Sequence, residues 1–175
     1  LTSRLRSQQI VERNREERAT ALYLLTRELA EAPDLAQLMA VVIQQVGKTF
    51  RADVALSLPE TENPLTVYFA STWSLSDKEQ TIAAWAFQHR ESAGRETDNL
   101  PSSEGSHLPL VAGGRVAGVL SLRFHDLTPL LPAQRDLLDA FIRQIALVLD
   151  RQRLRDAETQ AKLLAESERL GTTLL

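Results

Sequence analysis

The sequence predicts an α+β fold: an antiparallel sheet with helices on both sides, flanked by long helices at its two ends. Three observations carry this. Residues 133–170 run without Gly or Pro, enough for a helical rod of ~57 Å at ~1.5 Å per residue. The apolar period switches from helical spacing to strict alternation at Val54, and back at Ser76. Gly113-Gly114 separates two alternating runs, and two glycines supply the positive φ angles of a tight hairpin turn.

Taken in order, residues 1–31 form an incoming helix. Its middle is polar, with Arg4, Arg6, Arg13, Arg15 and Arg18 set against Glu12, Glu16 and Glu17, and its end is apolar at Leu22, Leu25 and Leu29. The first half is therefore solvated or paired with a partner helix, and only the second half docks. Pro33 stops it. Asp34 caps a second helix, whose Leu35, Leu38, Met39, Val42, Ile43 and Val46 share one face and which ends near Gly47. Val54, Leu56 and Leu58 alternate with Ala55 and Ser57 as a half-buried strand. After a turn at 59–64, Leu65, Val67 and Phe69 alternate with Thr66, Tyr68 and Ala70 as its hairpin partner.

Ser76-Asp77-Lys78-Glu79 reads as a capping box, in which Ser76 and Glu79 satisfy orphan N–H groups of a helix running to about Arg90. Ile82, Trp85, Ala86 and His89 share a face of it. Residues 91–106 are a long polar loop. Residues 107–112 and 115–124 make the second hairpin, with Val116, Leu120, Leu122 and Phe124 facing one way and Gly118 marking a close backbone approach. The last helix docks through Leu137, Leu138, Phe141, Ile142, Ile145 and Leu149. Beyond Arg151 it thins to a seam of Leu154, Ala157, Ala161 and Leu164 that suits a coiled coil. One sheet face lies under the flanking helices, the other under the Ser76 helix and the long loop.

Composition narrows the function. At 175 residues, with 43% apolar and 25% charged side chains, one folded domain is expected. A net charge of −3 gives no electrostatic ground for binding nucleic acid. The absence of cysteine removes disulfides, thiolate nucleophiles, cysteine metal sites and thioether-linked chromophores. No run reaches ~18 apolar residues, so no membrane span is expected, and Leu1 opens directly into charged helix without a signal peptide. The three histidines, His89, His107 and His125, lack metal-ligand spacing. Ser, His and Asp occur without a nucleophile-elbow motif, and Gly113-Gly114 joins strand to strand, so it is no phosphate cradle. No catalytic residue and no metal site are expected. The organisation reads as an incoming signalling helix (1–31), a core (32–132), and a docking helix that continues as a connector (133–175), the whole resembling a middle piece of something longer.

The closing hairpin, His107-Leu-Pro-Leu-Val-Ala-Gly-Gly-Arg-Val-Ala-Gly-Val-Leu-Ser-Leu, is similar to that of the GAF family, small sensory domains of PAS/GAF type. A narrower likeness is to the GAF domains of KdpD-type potassium-responsive sensor histidine kinases. It rests on Trp85-Ala86-Phe87, His89, Ala93-Gly94-Arg95, Thr97-Asp98 and Leu100-Pro101, on Thr20-Ala21-Leu22-Tyr23 with Leu25 and Arg27-Glu28-Leu29-Ala30, and on Glu168-Arg169-Leu170 with Thr172-Thr173-Leu174-Leu175. Two positions depart from it. Arg90-Glu91-Ser92 stands where a glycine is expected, and Gly171 should break the last helix.

The resemblance implies a GAF module, without catalysis or cofactor of its own, in the cytoplasmic portion of an inner-membrane kinase. That parent would use ATP to phosphorylate a histidine beyond Leu175 and pass the phosphoryl group to a response regulator. It would be a homodimer through the flanking helices, with the membrane reached only through the parent's spanning helices. Two readings of the domain follow. It is a relay acting through the packing or register of its flanking helices, or a sensor whose ligand shifts the same equilibrium. For the sensor, Tyr68, Trp73 and Trp85 offer an apolar floor, His89 and His107 extend the candidate set, and Arg95, Thr97 and Asp98 form a polar wall in which Arg95 recognises an anion such as a nucleotide. The plainer reading of that wall is a loop stapled by an Arg95–Asp98 bond, and of His89 a helix-end side chain bonded to a terminal carbonyl.

Overall fold

The structure, a computed structural model, describes residues 2–173; Leu1, at the expected start of the first helix, and Leu174-Leu175, at the end of the last motif, lie outside the described residues. The elements are α1 (Thr2–Glu31), α2 (Leu35–Phe50), β1 (Ala52–Leu58), β2 (Thr66–Val67), α3 (Asp77–His89), β3 (Ala93–Gly94), β4 (Ser106–Ala112), β5 (Arg115–Phe124) and α4 (Pro132–Thr173). The strands form one antiparallel sheet in the order β2-β1-β5-β4-β3.

One face carries the main core. Leu25 and Leu29 of α1, the apolar stripe of α2, and Phe141, Ile145 and Leu149 of α4 meet Val54, Leu56, Leu108, Leu110, Leu120 and Leu122 of the sheet. Phe50 meets Phe141 edge-on at 5.2 Å between centroids, a favoured aromatic geometry. Asp34 caps α2 by accepting from the Gln37 N–H at 2.8 Å. The helix passes Gly47 and ends three residues later, at Phe50, with Arg51 as its cap in the left-handed region. The opposite face is covered by α3 and the 91–106 segment, with Ala55, Val119, Trp73, Leu75 and Ala83 in contact.

Four local expectations are corrected. β1 is buried on both faces rather than half-buried, Ala55 and Ser57 as fully as Val54 and Leu56, because α3 covers its second side. β2 is two residues long, and Phe69 is 90% exposed. The chain leaves the ladder after Tyr68 because hydroxyls replace a strand there: Thr72 Oγ1 accepts from Val54 N–H at 2.8 Å, and Ser71 Oγ from Leu56 N–H at 3.1 Å. The glycine hairpin forms with φ of 58° and 76°, but a bulge follows it, so Leu110 pairs with Gly118 and Val111 with Val116. Ala117, rather than Val116, therefore enters the helix-side core. Finally, α4 runs through Gly171, since one glycine in an exposed helix costs only about 1 kcal/mol.

Gly118 is the expected close approach: a Cβ there would stand 2.6 Å from the Ser57 carbonyl. From Leu154 to Gly171 α4 is exposed, including Leu154, Leu163, Leu164 and Leu170. No described helix is long and apolar enough to cross a membrane.

A sealed polar network as candidate functional site

The α3 face holds a buried polar cluster. His107 on β4 is fully enclosed, and so is Ser121, its cross-strand partner on β5. The imidazole bridges two groups. Nε2 lies 2.8 Å from Glu79 Oε2, and Nδ1 lies 2.7 Å from Ser121 Oγ. Glu79 is 1% exposed, and its carboxylate also accepts from the Ser103 hydroxyl and from the Glu104 N–H at 3.2 Å. Trp73 stacks on the imidazole with 5.8 Å between ring centroids, and Arg123 lies over the indole at 5.5 Å, a cation–π arrangement. Arg123 continues to Asp53 at 2.7 Å, and His125 meets the other Asp53 oxygen at 3.0 Å.

Burial pushes the Glu79 carboxyl upward, but hydrogen bonds from Ser103, His107 and Glu104 outweigh it and hold the group below its ordinary 4.5. Burial pushes the His107 imidazole below its ordinary 6.5, against the pull of Glu79. One proton arrangement satisfies both: Glu79 ionised, His107 neutral with Nε2–H donating to the carboxylate, and Ser121 O–H donating to Nδ1. Hydroxyl, imidazole and carboxylate thus stand in line as in a hydrolase triad, but all three are sealed, so the line works as an internal strut.

Acid should weaken this strut in two stages. With His107 below its ordinary value, the unfolded chain takes up that proton first, so stability falls as pH drops below about 6.5. The Glu79 contribution is present above about 4.5 and is lost as pH falls through its lowered folded value. Asp53, lowered by its bonds to His125 and Arg123, joins the second stage. Urea unfolding from about pH 8 to about pH 2.5 should show both declines. NMR should find the His107 ring neutral at pH 6.5; a ring half-protonated there would contradict this assignment.

The eight residues singled out in the sequence do not converge. Trp73 meets His107. Trp85 stacks on His89 at 4.1 Å, and His89 Nδ1 reaches the Trp85 carbonyl at 2.9 Å, at the exposed end of α3. Tyr68 packs on the opposite, helix-side core. Arg95 and Thr97 share a small recess of about 180 Å³ at the β3–β4 edge, where Arg135 pairs with Glu96 at 3.7 Å, and Asp98 is exposed. No ion pair joins Arg95 to Asp98. The loop is held instead by Thr97 Oγ1, which lies 2.7 Å from the Gly94 carbonyl, and by Asn99, which donates to the Ser92 carbonyl at 3.0 Å. Arg95→Ala should therefore change unfolding free energy by less than ~0.5 kcal/mol in a denaturant titration; a loss beyond ~1 kcal/mol would reveal a side-chain role here. Among the described residues no three His, Asp or Glu side chains gather as metal ligands.

Ser103 and Ser121 escape the sequence reading, and Glu79 enters it only as a capping residue. The capping-box pattern is half realised: Ser76 accepts from the Glu79 N–H at 3.4 Å, while the Glu79 carboxylate turns inward to His107.

Comparison with known proteins agrees with this architecture. Over its full length the chain is 31% identical, across 176 residues, to the sensor protein KdpD of Escherichia coli (strain K12). It is 26% identical across 183 residues to the sensor protein KdpD of Clostridium acetobutylicum. It spans only 20% of the length of either relative. The crystal structure of the native GAF domain of the E. coli potassium sensor histidine kinase KdpD superposes with a TM-score of 0.72 at 27% identity, covering 81% of this chain and 99% of that one. The GAF domain of an Acinetobacter phosphoenolpyruvate-protein phosphotransferase shares the fold at a TM-score of 0.63 and 15% identity, covering 81% and 98%. Residues 34–151, from the cap of α2 to the point where α4 leaves the core, match the GAF domain profile, and the chain belongs to the GAF domain family.

Proposed function

We propose that this domain is a relay in a two-component sensor histidine kinase of the KdpD kind, passing signal as altered packing between α1 and α4. The core is residues 32–132, and residues 1–31 and 133–175 are its arms. The parent kinase uses ATP to phosphorylate a histidine, transfers the phosphoryl group to a response regulator, and pairs with a second copy through the arms. The domain sits on the cytoplasmic side of the membrane.

One observation carries the relay: both arms are rooted in the same core. Leu25 and Leu29 of α1 share it with Phe141, Ile145 and Leu149 of α4. At the edge of that core Arg153 clasps α4 to the sheet, donating to the carbonyls of Ala117 at 3.2 Å and Pro59 at 3.1 Å. A shift of α1 in such a core is felt by α4, because packed interiors rearrange between discrete states rather than deform smoothly.

Insertions after Arg155 in the parent kinase test this. Seven residues leave the α4 face nearly in phase, drifting by ~20°, and should preserve the signal response. Three residues rotate it by ~60° at ~100° per residue and should lock autophosphorylation high or low. Arg153→Ala should blunt the response while the core stays folded. A response indifferent to all three changes would refute the relay.

A further inference from the structure

We propose that the groove between α2, the β1–β2 turn and α4 docks a basic amphipathic helix of a partner protein. The groove is a concavity of about 1020 Å³, above the ~300–1,000 Å³ of small-molecule sites. Leu35 and Met39 of α2 line it together with Leu58 and Tyr68, giving an apolar floor. α4 forms one wall through Arg153, Asp156, Ala157 and Gln160. These stand at i, i+3, i+4 and i+7, so they share one helical face. The stripe is ~10 Å long, two turns of a helix. Ala157 within it is small enough for a second helix to approach closely, and an apolar groove of this kind accepts the apolar face of such a helix.

An independent observation lies beside the groove. Phe69 is 90% exposed, more than any other large apolar side chain among the described residues. Its ring meets Tyr68 of the groove at 4.6 Å between centroids. An aromatic ring left in water beside an apolar groove has the character of a binding anchor, because covering it removes a large apolar area from water.

Charge selects the partner. Glu60, Glu62 and Asp156 place three carboxylates around the groove, and Arg153 is the cation of the lining. Arg153 already donates to the Ala117 and Pro59 carbonyls. Among the described residues none of the three carboxylates has an ion-pair partner. A helix with Lys or Arg flanking its apolar face supplies those partners, and such rim charges speed the encounter and set its specificity. A second copy of this chain fits less well, because Leu154 and Leu164 of the expected seam lie outside the groove lining. Docking needs only the groove, so it does not rest on the relay.

Titration of the isotope-labelled 175-residue chain with three short synthetic peptides, followed by amide NMR, tests the proposal. The first is a leucine–lysine helix with all its leucines on one face. The second carries glutamate in place of lysine, and the third scrambles the order of the first. The first should give saturable shifts at Met39, Thr66 and Gln160. The other two should each lose about tenfold or more in affinity. Phe69→Ala should leave the melting temperature unchanged and weaken the first peptide about tenfold. Glu60→Gln combined with Glu62→Gln should weaken it about fivefold and flatten its salt dependence. The proposal is overturned if the first peptide gives no saturable shifts at the groove, if either control peptide binds as tightly, or if Phe69→Ala or the glutamine pair keeps the parent affinity. It is also overturned if the shifts centre on Leu154 and Leu164, or if diluting the chain alone moves the groove amides, since the occupant is then a second copy.

Discussion

Replacing Glu79 with alanine should lower the unfolding free energy by roughly 3–5 kcal/mol, because hydrogen bonds to a charged acceptor contribute ~1.5–3 kcal/mol each and several are lost at once. The change removes the acceptor of His107 Nε2–H, of the Ser103 hydroxyl and of the Glu104 N–H together, leaving the enclosed His107 N–H without a partner and Ser103 with the Gly105 carbonyl alone. For a chain of this size the shift in melting temperature is about 10 °C. Glu79→Gln should fall between. Its amide oxygen can still serve His107 and Ser103, but its NH₂ then faces the Glu104 N–H, donor against donor. Urea unfolding of the two variants tests the argument. Equal losses would mean that volume, not hydrogen bonding, sets the cost, and a loss below ~1 kcal/mol would remove the strut from the account of stability.

Gly105→Ala should be nearly as damaging, at roughly 3 kcal/mol, the upper part of the range for overpacking a tight interior. A Cβ at this position would stand on the six-membered ring of Trp73 and 2.5 Å from the Leu122 carbonyl. The indole cannot simply retreat, because it is held between the His107 ring and the Arg123 guanidinium. Pairing the change with Trp73→Leu should recover part of the loss by clearing the ring, but not the clash with the backbone carbonyl. Thermal unfolding of the two variants separates these terms. If the double variant is no better than Gly105→Ala, the carbonyl alone sets the penalty.

The fold was largely legible in the sequence. Asp34, Pro33, Gly113-Gly114 and the apolar stripe of α2 act within a few residues of themselves, and local physics determines them. What was hidden depends on distant contacts. Hairpin geometry read from Gly113-Gly114 sets Leu120 opposite His107; the bulge moves the register by one and delivers Ser121 instead. Because side chains alternate between faces, that single residue decides whether His107 meets a hydroxyl or a leucine. Glu79 was masked by a sequence pattern that fits two structures, a capping box and an inward strut, and only the presence of His107 beneath α3 selects the second. Arg95 and Asp98 lie close in sequence but do not meet, since the backbone reverses between them at Glu96 with φ of 62°.

The sheet ends on each side in a two-residue strand, β2 at one edge and β3 at the other. Beyond β2, the edge of β1 is already occupied by the Ser71 and Thr72 hydroxyls. Fibril growth and strand swapping need a long row of free backbone donors and acceptors as a template; the β2 margin supplies none, and at the other Pro109, which has no N–H, interrupts the part of β4 that β3 leaves unpaired. When this protein is crowded at high concentration, its sheet should be a poor seed for amyloid-like stacking, and thioflavin fluorescence should stay flat under conditions in which the folded state persists.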